Sequence, residues 1–174
     1  MEIGQLEHLQ ILDLEQNQLQ GTLPLEWGLL GLPELKTLRL DKNNLEGTMP
    51  SEWCSLGNTS NLKDLILANN DLTGTLPSCL SELSGLEDFS VMNNAMSGKL
   101  PSGLGDLSEL RTLHLAGNSF NGRIPDSVCS LAESRMLFET STDCMNDLSD
   151  KYVQCSCCTT CCDGDDHGSC QSGL

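Results

Sequence analysis

The sequence is poor in aromatic residues, in positive charge and in long apolar runs. Three Phe, two Trp and one Tyr among 174 residues require a core built from aliphatic side chains. Nine basic residues stand against 25 acidic ones, a net charge of −16. A polyanion repels phosphate, so nucleic acids and anionic membrane surfaces are poor candidates as partners, and no nucleic acid is expected. No run approaches the roughly 20 apolar residues that a membrane-spanning helix needs, and no membrane span is predicted in this chain.

What the sequence contains instead is an internal repeat with a period of about 24 residues. Segments such as LKTLRLDKNNLEGTMP and LRTLHLAGNSFNGRIP align on an asparagine, a glycine and a proline. The asparagines are Asn17, Asn43, Asn70, Asn94 and Asn118, and they are the predicted structural column. The glycines and prolines that recur in phase are Gly21, Gly47, Gly74, Gly98 and Gly122, and Pro24, Pro50, Pro77, Pro101 and Pro125.

Each repeated residue type has a physical role. In L-x-L, alternation turns the leucines inward and the intervening residues outward, so stacked repeats pair short parallel strands. A buried asparagine amide can satisfy backbone groups where the chain leaves the strand. Glycine permits a bend that a Cβ would hinder, and proline, without an N–H, suits the start of the return segment. No repeat can bury its leucines alone, so the core forms by stacking.

The unit L-x-x-L-x-x-L-x-L-x-x-N-x-L-x-G-x-[IL]-P resembles the plant-type leucine-rich repeat. The resemblance implies an α/β repeat solenoid, a right-handed horseshoe with a parallel concave sheet and short helical or 3₁₀ convex segments. It also implies that a lateral second sheet is common, that the concave sheet recognises proteins, peptides or glycans, and that the fold has no intrinsic catalysis. We expect five repeats over residues 1–131, a degenerate cap over 132–149 and a cysteine-rich tail over 150–174.

The N-terminus has neither the basic region nor the apolar region of a signal peptide. Ile3 and Leu6 are already in core phase, and no polar cap precedes them. Ten cysteines, however, are uncommon in a reducing cytosol. The sequence therefore predicts a truncated piece of a longer secreted or cell-surface chain. The alternative is a short intracellular protein whose first repeat caps itself.

After Pro125 the period fails, because Glu139 stands where an inward leucine belongs and no asparagine follows. Cys129 and Cys144 bracket this segment, and a disulfide between them would staple the last turn. The tail motif CSCCTTCC resembles the C-termini of secreted leucine-rich repeat proteins of diatoms and related algae.

The ten cysteines divide evenly by region, which favours pairing within each region. Cys54 and Cys79 lie on adjacent convex turns, where either a disulfide or two buried free thiols would fit. For the tail, a disulfide knot is the favoured interpretation. The alternatives are a metal cluster, with His167 or Asp163, Asp165 and Asp166 as nearby ligands, and acylated thiols. The disulfide candidates are Cys54, Cys79, Cys129, Cys144, Cys155, Cys157, Cys158, Cys161, Cys162 and Cys170. Asn58 begins an N-x-S sequon, so it is the glycosylation candidate.

The outward strand positions predict a ligand-binding concave face. They form four columns, which read Ile11, Thr37, Asp64, Asp88, Thr112; Asp13, Arg39, Ile66, Ser90, His114; Glu15, Asp41, Ala68, Met92, Ala116; and Gln16, Lys42, Asn69, Asn93, Gly117. The expected ligand-binding residues are Asp13, Glu15, Arg39, Asp41, Lys42, Asp64, Ile66, Asp88, Ser90, Met92 and His114. Acidic residues dominate the first three repeats, which predicts a negative patch for a basic or hydroxyl-rich ligand. The alternative is that these are ordinary solvated sheet residues.

No catalytic motif, cofactor site or metal site is predicted in the repeats. Asp88 and His114 fall in neighbouring strands, and no serine or cysteine nucleophile is expected to complete a relay with them. We therefore expect a non-catalytic extracellular recognition module, either receptor-ectodomain-like or a secreted adhesion or defence protein. Two alternatives remain, a secreted inhibitor of a cell-wall hydrolase and a metal-binding protein that uses the tail.

Overall fold

The L-x-L segments pair side by side into one long concave sheet. The structure is a computed structural model that describes residues 3, 6–30, 32–59, 61–133, 139–143, 153–154, 160–162 and 170–172. Within these ranges the concave sheet has eight strands, parallel except for the antiparallel last pair. In sheet order they are β1 (Ile11–Asp13), β3 (Thr37–Arg39), β5 (Asp64–Ile66), β7 (Asp88–Ser90), β9 (Thr112–His114), β11 (Glu139–Asp143), β13 (Thr160–Cys162) and β14 (Cys170–Ser172).

A second, lateral sheet forms where each repeat continues past its asparagine. Its strands are all parallel, and in the described ranges there are six. They are β2 (Gln20–Thr22), β4 (Asn44–Thr48), β6 (Asp71–Gly74), β8 (Ala95–Lys99), β10 (Ser119–Arg123) and β12 (Val153–Gln154). The second sheet that the family resemblance implied is therefore confirmed.

Short helical segments return the chain along the convex side. Pro50, Pro77 and Pro101 each stand at the N-cap of a 3₁₀ turn, where a missing N–H costs nothing. The segments are α1 (Glu26–Leu30), α2 (Leu56–Thr59) and α3 (Asp126–Glu133), with 3₁₀ turns at Ser51–Ser55, Ser78–Glu82 and Ser102–Asp106. The predicted solenoid with helical and 3₁₀ convex turns is confirmed.

The core between the sheets and the convex turns consists mainly of stacked leucines, such as Leu38, Leu65 and Leu113. The tryptophans form one stacked pair, Trp27 and Trp53, with ring centroids 5.7 Å apart. The indole N–H of Trp53 donates to the Pro24 carbonyl at 2.7 Å, so its polar atom is satisfied inside the core. An aliphatic core is what the scarcity of aromatic residues predicted.

The asparagine column joins each repeat to the one before it. The Asn70 amide donates to the carbonyls of Leu40, Leu67 and Ala68 at 3.0 to 3.3 Å. Its side-chain oxygen accepts the backbone N–H of Leu45 at 3.0 Å. Asn43, Asn94 and Asn118 repeat this pattern. These four asparagines therefore satisfy backbone groups of their own and the preceding repeat, as the sequence analysis expected, whereas Asn17, among the described residues, bonds only within its own repeat.

Two left-handed turns per repeat shape the strand connections. The repeat glycines, Gly21 to Gly122, have φ between 78° and 89°, the region that a Cβ disfavours. The fourth predicted column is left-handed too, with φ of 53° to 72° at Gln16, Lys42, Asn69, Asn93 and Gly117. The sequence analysis placed these five residues as outward strand positions. That placement is wrong, because the concave strands end before them and the chain turns there.

Cys54 and Cys79 form a disulfide between adjacent convex turns, with their Cα atoms 5.8 Å apart. The disulfide alternative is therefore confirmed over two free thiols. Cys129 is also disulfide-bonded. Its predicted partner, Cys144, lies outside the described residues.

The other predictions for the tail and the sequon lie outside what the structure describes. Those positions are Cys155, Cys157, Cys158, Asp163, Asp165, Asp166 and His167, and the side chains of Asn58, Cys161, Cys162 and Cys170.

The cap continues the concave sheet in a different register from the one predicted. Glu139 pairs with Thr112, and Thr140 pairs with the inward Leu113. The sequence analysis placed Glu139 at an inward leucine position, but the pairing sets it beside the outward Thr112. The error arose because the cap lacks the asparagine that sets the register in the other repeats.

Candidate functional site

The first two predicted columns of the concave face lie in register across β1, β3, β5, β7 and β9. Ile11 pairs with Thr37, and the column continues through Asp64 and Asp88 to Thr112. The second column likewise runs from Asp13 through Arg39, Ile66 and Ser90 to His114. Parallel strands are about 4.8 Å apart, so the five strands present a face about 20 Å wide.

Exposure varies sharply among the predicted ligand-binding residues. Asp13, Arg39 and Lys42 are exposed, and Glu15, Asp64, Ile66, Asp88, Met92 and His114 are half-buried. Asp41 and Ser90 are buried, with 7% and 5% of their surface exposed. These two side chains are therefore not the open contacts that the sequence analysis expected.

The negative patch of the first three repeats is consequently smaller than predicted. Asp13 and Glu15 remain accessible, while Asp41 does not. Opposite Asp13 in the pairing stands Arg39, an exposed cation. The outer end of the face therefore presents two accessible acids beside a base.

Two carboxylates at the centre of the face are held by threonine hydroxyls on adjacent strands. Thr37 Oγ1 donates to Asp64 Oδ2 at 2.6 Å, and Thr112 Oγ1 donates to Asp88 Oδ1 at 2.5 Å. These bonds fix the carboxylates before any ligand arrives, while each keeps a second oxygen. Thr37 and Thr112 were absent from the predicted site. Their place in one column with two aspartates was the signal that could have identified them.

A ladder of charged residues lies at one edge of the concave sheet. Its members are Lys63, Glu87 and Arg111, which immediately precede β5, β7 and β9. The Lys63 ammonium pairs with Glu87, and Arg111 Nη1 lies 2.9 Å from Glu87 Oε2. The hydrogen bond from Lys63, with the charges of both bases, holds the pKa of Glu87 below its ordinary value. The Glu87 carboxylate is therefore neutralised, and the two bases leave this edge with one net positive charge.

The strand register revises one chemical expectation. Ser90 lies directly opposite His114, so a serine does stand beside the histidine. No hydrogen bond joins Ser90 to His114 among the described contacts, and Asp88 is bonded to Thr112. Ser90 is also buried. The described contacts do not join these three side chains in the nucleophile–base–acid order of a hydrolase.

Two searches of the described ranges concern other kinds of site. No cluster of three or more His, Cys, Asp or Glu side chains in these ranges could hold a metal ion. None of the helices described has the length and apolar character that crossing a membrane requires.

Comparisons with known proteins agree with the repeat register. Two leucine-rich repeat family models match the chain, one at residues 60–120 and the other at 8–30 and 34–56. The structure of the BIR3–SERK2 complex from Arabidopsis thaliana is 33% identical with a TM-score of 0.64. That match covers 80% of this chain and 72% of the matched one. The chain belongs to the plant-type leucine-rich repeat family.

Larger receptor structures match this leucine-rich repeat chain over part of their length. A TDR receptor is 36% identical with a TM-score of 0.71, and the match covers 82% of this chain and 23% of the receptor chain. The ectodomain of the Arabidopsis thaliana membrane receptor kinase GASSHO1/SCHENGEN3, in complex with CASPARIAN STRIP INTEGRITY FACTOR 2, is 30% identical with a TM-score of 0.71. The match covers 87% of this chain and 18% of the ectodomain chain. No curated protein matches the chain significantly.

Proposed function

We propose that this leucine-rich repeat chain is a non-catalytic extracellular recognition module that binds a peptide or a protein on its concave face. The observation that carries the proposal is the set of in-register outward columns on β1 to β9, with Asp64 and Asp88 pre-positioned by threonines. Fixed carboxylates lose little conformational freedom on binding, which favours affinity.

The ligand that this face suits is a short basic or hydroxyl-rich segment. Asp13, Glu15, Asp64 and Asp88 supply acceptors along the face, and half-buried Ile66 and Met92 supply apolar contact. A face about 20 Å wide accommodates a peptide or a loop rather than a whole standard interface of about 800 Å². The similarity to a receptor ectodomain solved with a small protein factor supports the same class of ligand.

An extracellular location is consistent with the covalent structure. The Cys54–Cys79 disulfide and the bonded state of Cys129 are typical of oxidising compartments. The similarity to plant receptor ectodomains supports a cell-surface or secreted setting.

The test is selection from a displayed random-peptide library, followed by calorimetry with the recovered peptides. We expect basic or hydroxyl-rich sequences, whose binding weakens as salt rises. Replacing three concave acids together, Asp13→Asn, Glu15→Gln and Asp64→Asn, should weaken binding about tenfold, since each exposed pair contributes a modest amount.

The matched control replaces three exposed convex acids, Glu26→Gln, Glu82→Gln and Asp106→Asn, which changes net charge equally. Binding by the control should match the unmodified protein. Equal affinity for both triple variants would contradict the concave-face assignment.

A further inference from the structure

A row of threonines that the concave face does not involve lies at the C-terminal ends of the first three strands of the lateral sheet. Thr22, Thr48 and Thr75 each follow the glycine of one of the first three repeats, in the pattern G-T-[LM]-P. All three are exposed. None of their hydroxyls has a hydrogen-bond partner among the described residues. The row therefore offers three uncommitted hydroxyls, one per repeat.

The next repeat fixes the orientation of each threonine. A Cβ placed on Gly47 would lie 2.9 Å from the methyl carbon of Thr22, closer than real side chains approach. A Cβ placed on Gly74 would lie 2.8 Å from the Thr48 methyl carbon, and one placed on Gly98 would lie 2.8 Å from the Thr75 methyl carbon. Each methyl group thus occupies the space where the next glycine lacks a side chain.

This seating determines where the hydroxyls lie. Threonine is β-branched and adopts staggered rotamers, so placing the methyl group over the glycine leaves its hydroxyl in another staggered position. Because the three methyl seats are equivalent, the three hydroxyls share one orientation. The strand pairing places Thr22 beside Glu46 and Thr48 beside Thr73, so each threonine is two residues beyond the partner of the one before it and the row crosses the sheet diagonally.

Thr22, Thr48 and Thr75 line a groove of about 540 Å³ between the lateral sheet and the convex turns. Apolar atoms of Leu25, Pro50 and Pro77 line the groove alongside the threonines. Among the described residues that line it, Glu52 is the one that bears a charge, and no cation is present. The groove therefore combines a regular row of neutral donors and acceptors with an apolar floor.

We propose that this groove binds a linear polysaccharide of neutral sugar units, with its chain along the row Thr22–Thr48–Thr75. A hydroxyl both donates and accepts, so it matches the hydroxyls that every sugar unit repeats. The carbon faces of sugar rings pack on proline and leucine. Pre-oriented hydroxyls also lose little freedom on binding.

The charges and the geometry discriminate against other ligands. Glu52, without a cation beside it, disfavours carboxylated or sulfated glycans. An extended peptide would pair with a free backbone edge of a sheet. The threonine row instead crosses consecutive, mutually paired strands and offers side chains alone.

The groove lies on the lateral sheet, so this inference is independent of peptide binding by the concave face. The experiment uses ¹⁵N-labelled protein titrated with cellohexaose, laminarihexaose and mannohexaose, with hexagalacturonate as the acidic comparator. We expect at least one neutral hexasaccharide to shift the amide resonances of Thr22, Thr48 and Thr75, and hexagalacturonate to shift them less.

The variant Thr48→Val keeps the methyl group over Gly74 and removes the hydroxyl. It should weaken binding about two- to tenfold, the effect of one neutral hydrogen bond. The triple variant with Thr22→Val and Thr75→Val should abolish detectable binding. The control, Thr73→Val, lies exposed on the same sheet and does not line the groove, and it should bind normally. Thermal unfolding of each variant would verify that it is folded.

Several results would overturn the proposal. These are no shift with any neutral hexasaccharide, tighter binding of hexagalacturonate, and equal binding by Thr48→Val and Thr73→Val. Shifts of the same amides on changing the protein concentration alone would show that a second copy occupies the groove, and would overturn it as well.

Discussion

Asn17 and Asn70 hold the same position in their repeats, yet their surroundings differ. Asn17 is exposed, and its amide donates to the carbonyls of Leu14 and Glu15 within its own repeat. Asn70 is buried and also bonds to Leu40 and Leu45 of the preceding repeat. The leucines follow the same division, since Leu14 is half-buried and Leu67 is fully buried.

This difference shows that a repeat motif does not itself confer stability. The leucines and the asparagine contribute fully where a repeat lies between two others, because the neighbours bury the side chains and complete the hydrogen bonds. Equivalent substitutions in the first and the third repeat should therefore have unequal effects, which two experiments can measure.

The largest difference should come from the inward leucines. We expect Leu67→Ala to lower the free energy of unfolding by about 2 to 5 kcal/mol, because it removes a buried side chain and leaves a cavity. The same change at the half-buried Leu14 should cost less than half as much. Urea denaturation of both variants measures the difference. Equal costs, or a cost near zero at Leu67, would mean that burial does not separate the two repeats.

The asparagines should show a smaller difference. Asn70→Ala leaves the Leu45 N–H and several carbonyls without a partner in the core, at a cost of about 2 kcal/mol. Asn17→Ala should change stability by a few tenths of that amount, since water can replace its bonds. Thermal unfolding and amide exchange at Leu45 would test this pair. Rapid exchange at Leu45 in the unmodified protein would contradict the bond to Asn70.

The smallest effect concerns an exposed ion pair, His8 with Glu34, whose atoms Nδ1 and Oε1 are 2.9 Å apart. The hydrogen bond and charge of Glu34 raise the pKa of His8, and those of His8 lower the pKa of Glu34. The stabilisation from His8 is therefore full below its ordinary pKa and lost as pH rises through the raised value. The stabilisation from Glu34 is lost as pH falls through its lowered value.

An NMR titration of the His8 ring should show its pKa falling towards the ordinary value in Glu34→Gln. The variant Glu87→Gln, which alters the ladder of Lys63 and Arg111, is the matched control and should leave the His8 titration unchanged. An identical His8 pKa in the protein and in Glu34→Gln would show that the pair does not persist in solution.

Much of the concave face was predictable from residue spacing. The alternation in L-x-L and one asparagine per repeat identified which residues share a column, and the strand register confirms the columns from Ile11 to Thr112 and from Asp13 to His114. Exposure was less predictable. Asp41 and Ser90 occupy outward positions but are buried, because exposure depends on the size of neighbouring side chains on a concave surface.

The sequence by itself determined the solenoid, its repeat register and the first two columns of its concave sheet, because these follow from a local period repeated five times. Only the tertiary structure decided the Cys54–Cys79 bond, the pairing of threonines with Asp64 and Asp88, and the seating of Thr22, Thr48 and Thr75 over glycines. Each of these joins residues from different repeats, and their contact depends on the offset between stacked turns, which the period of one repeat does not specify.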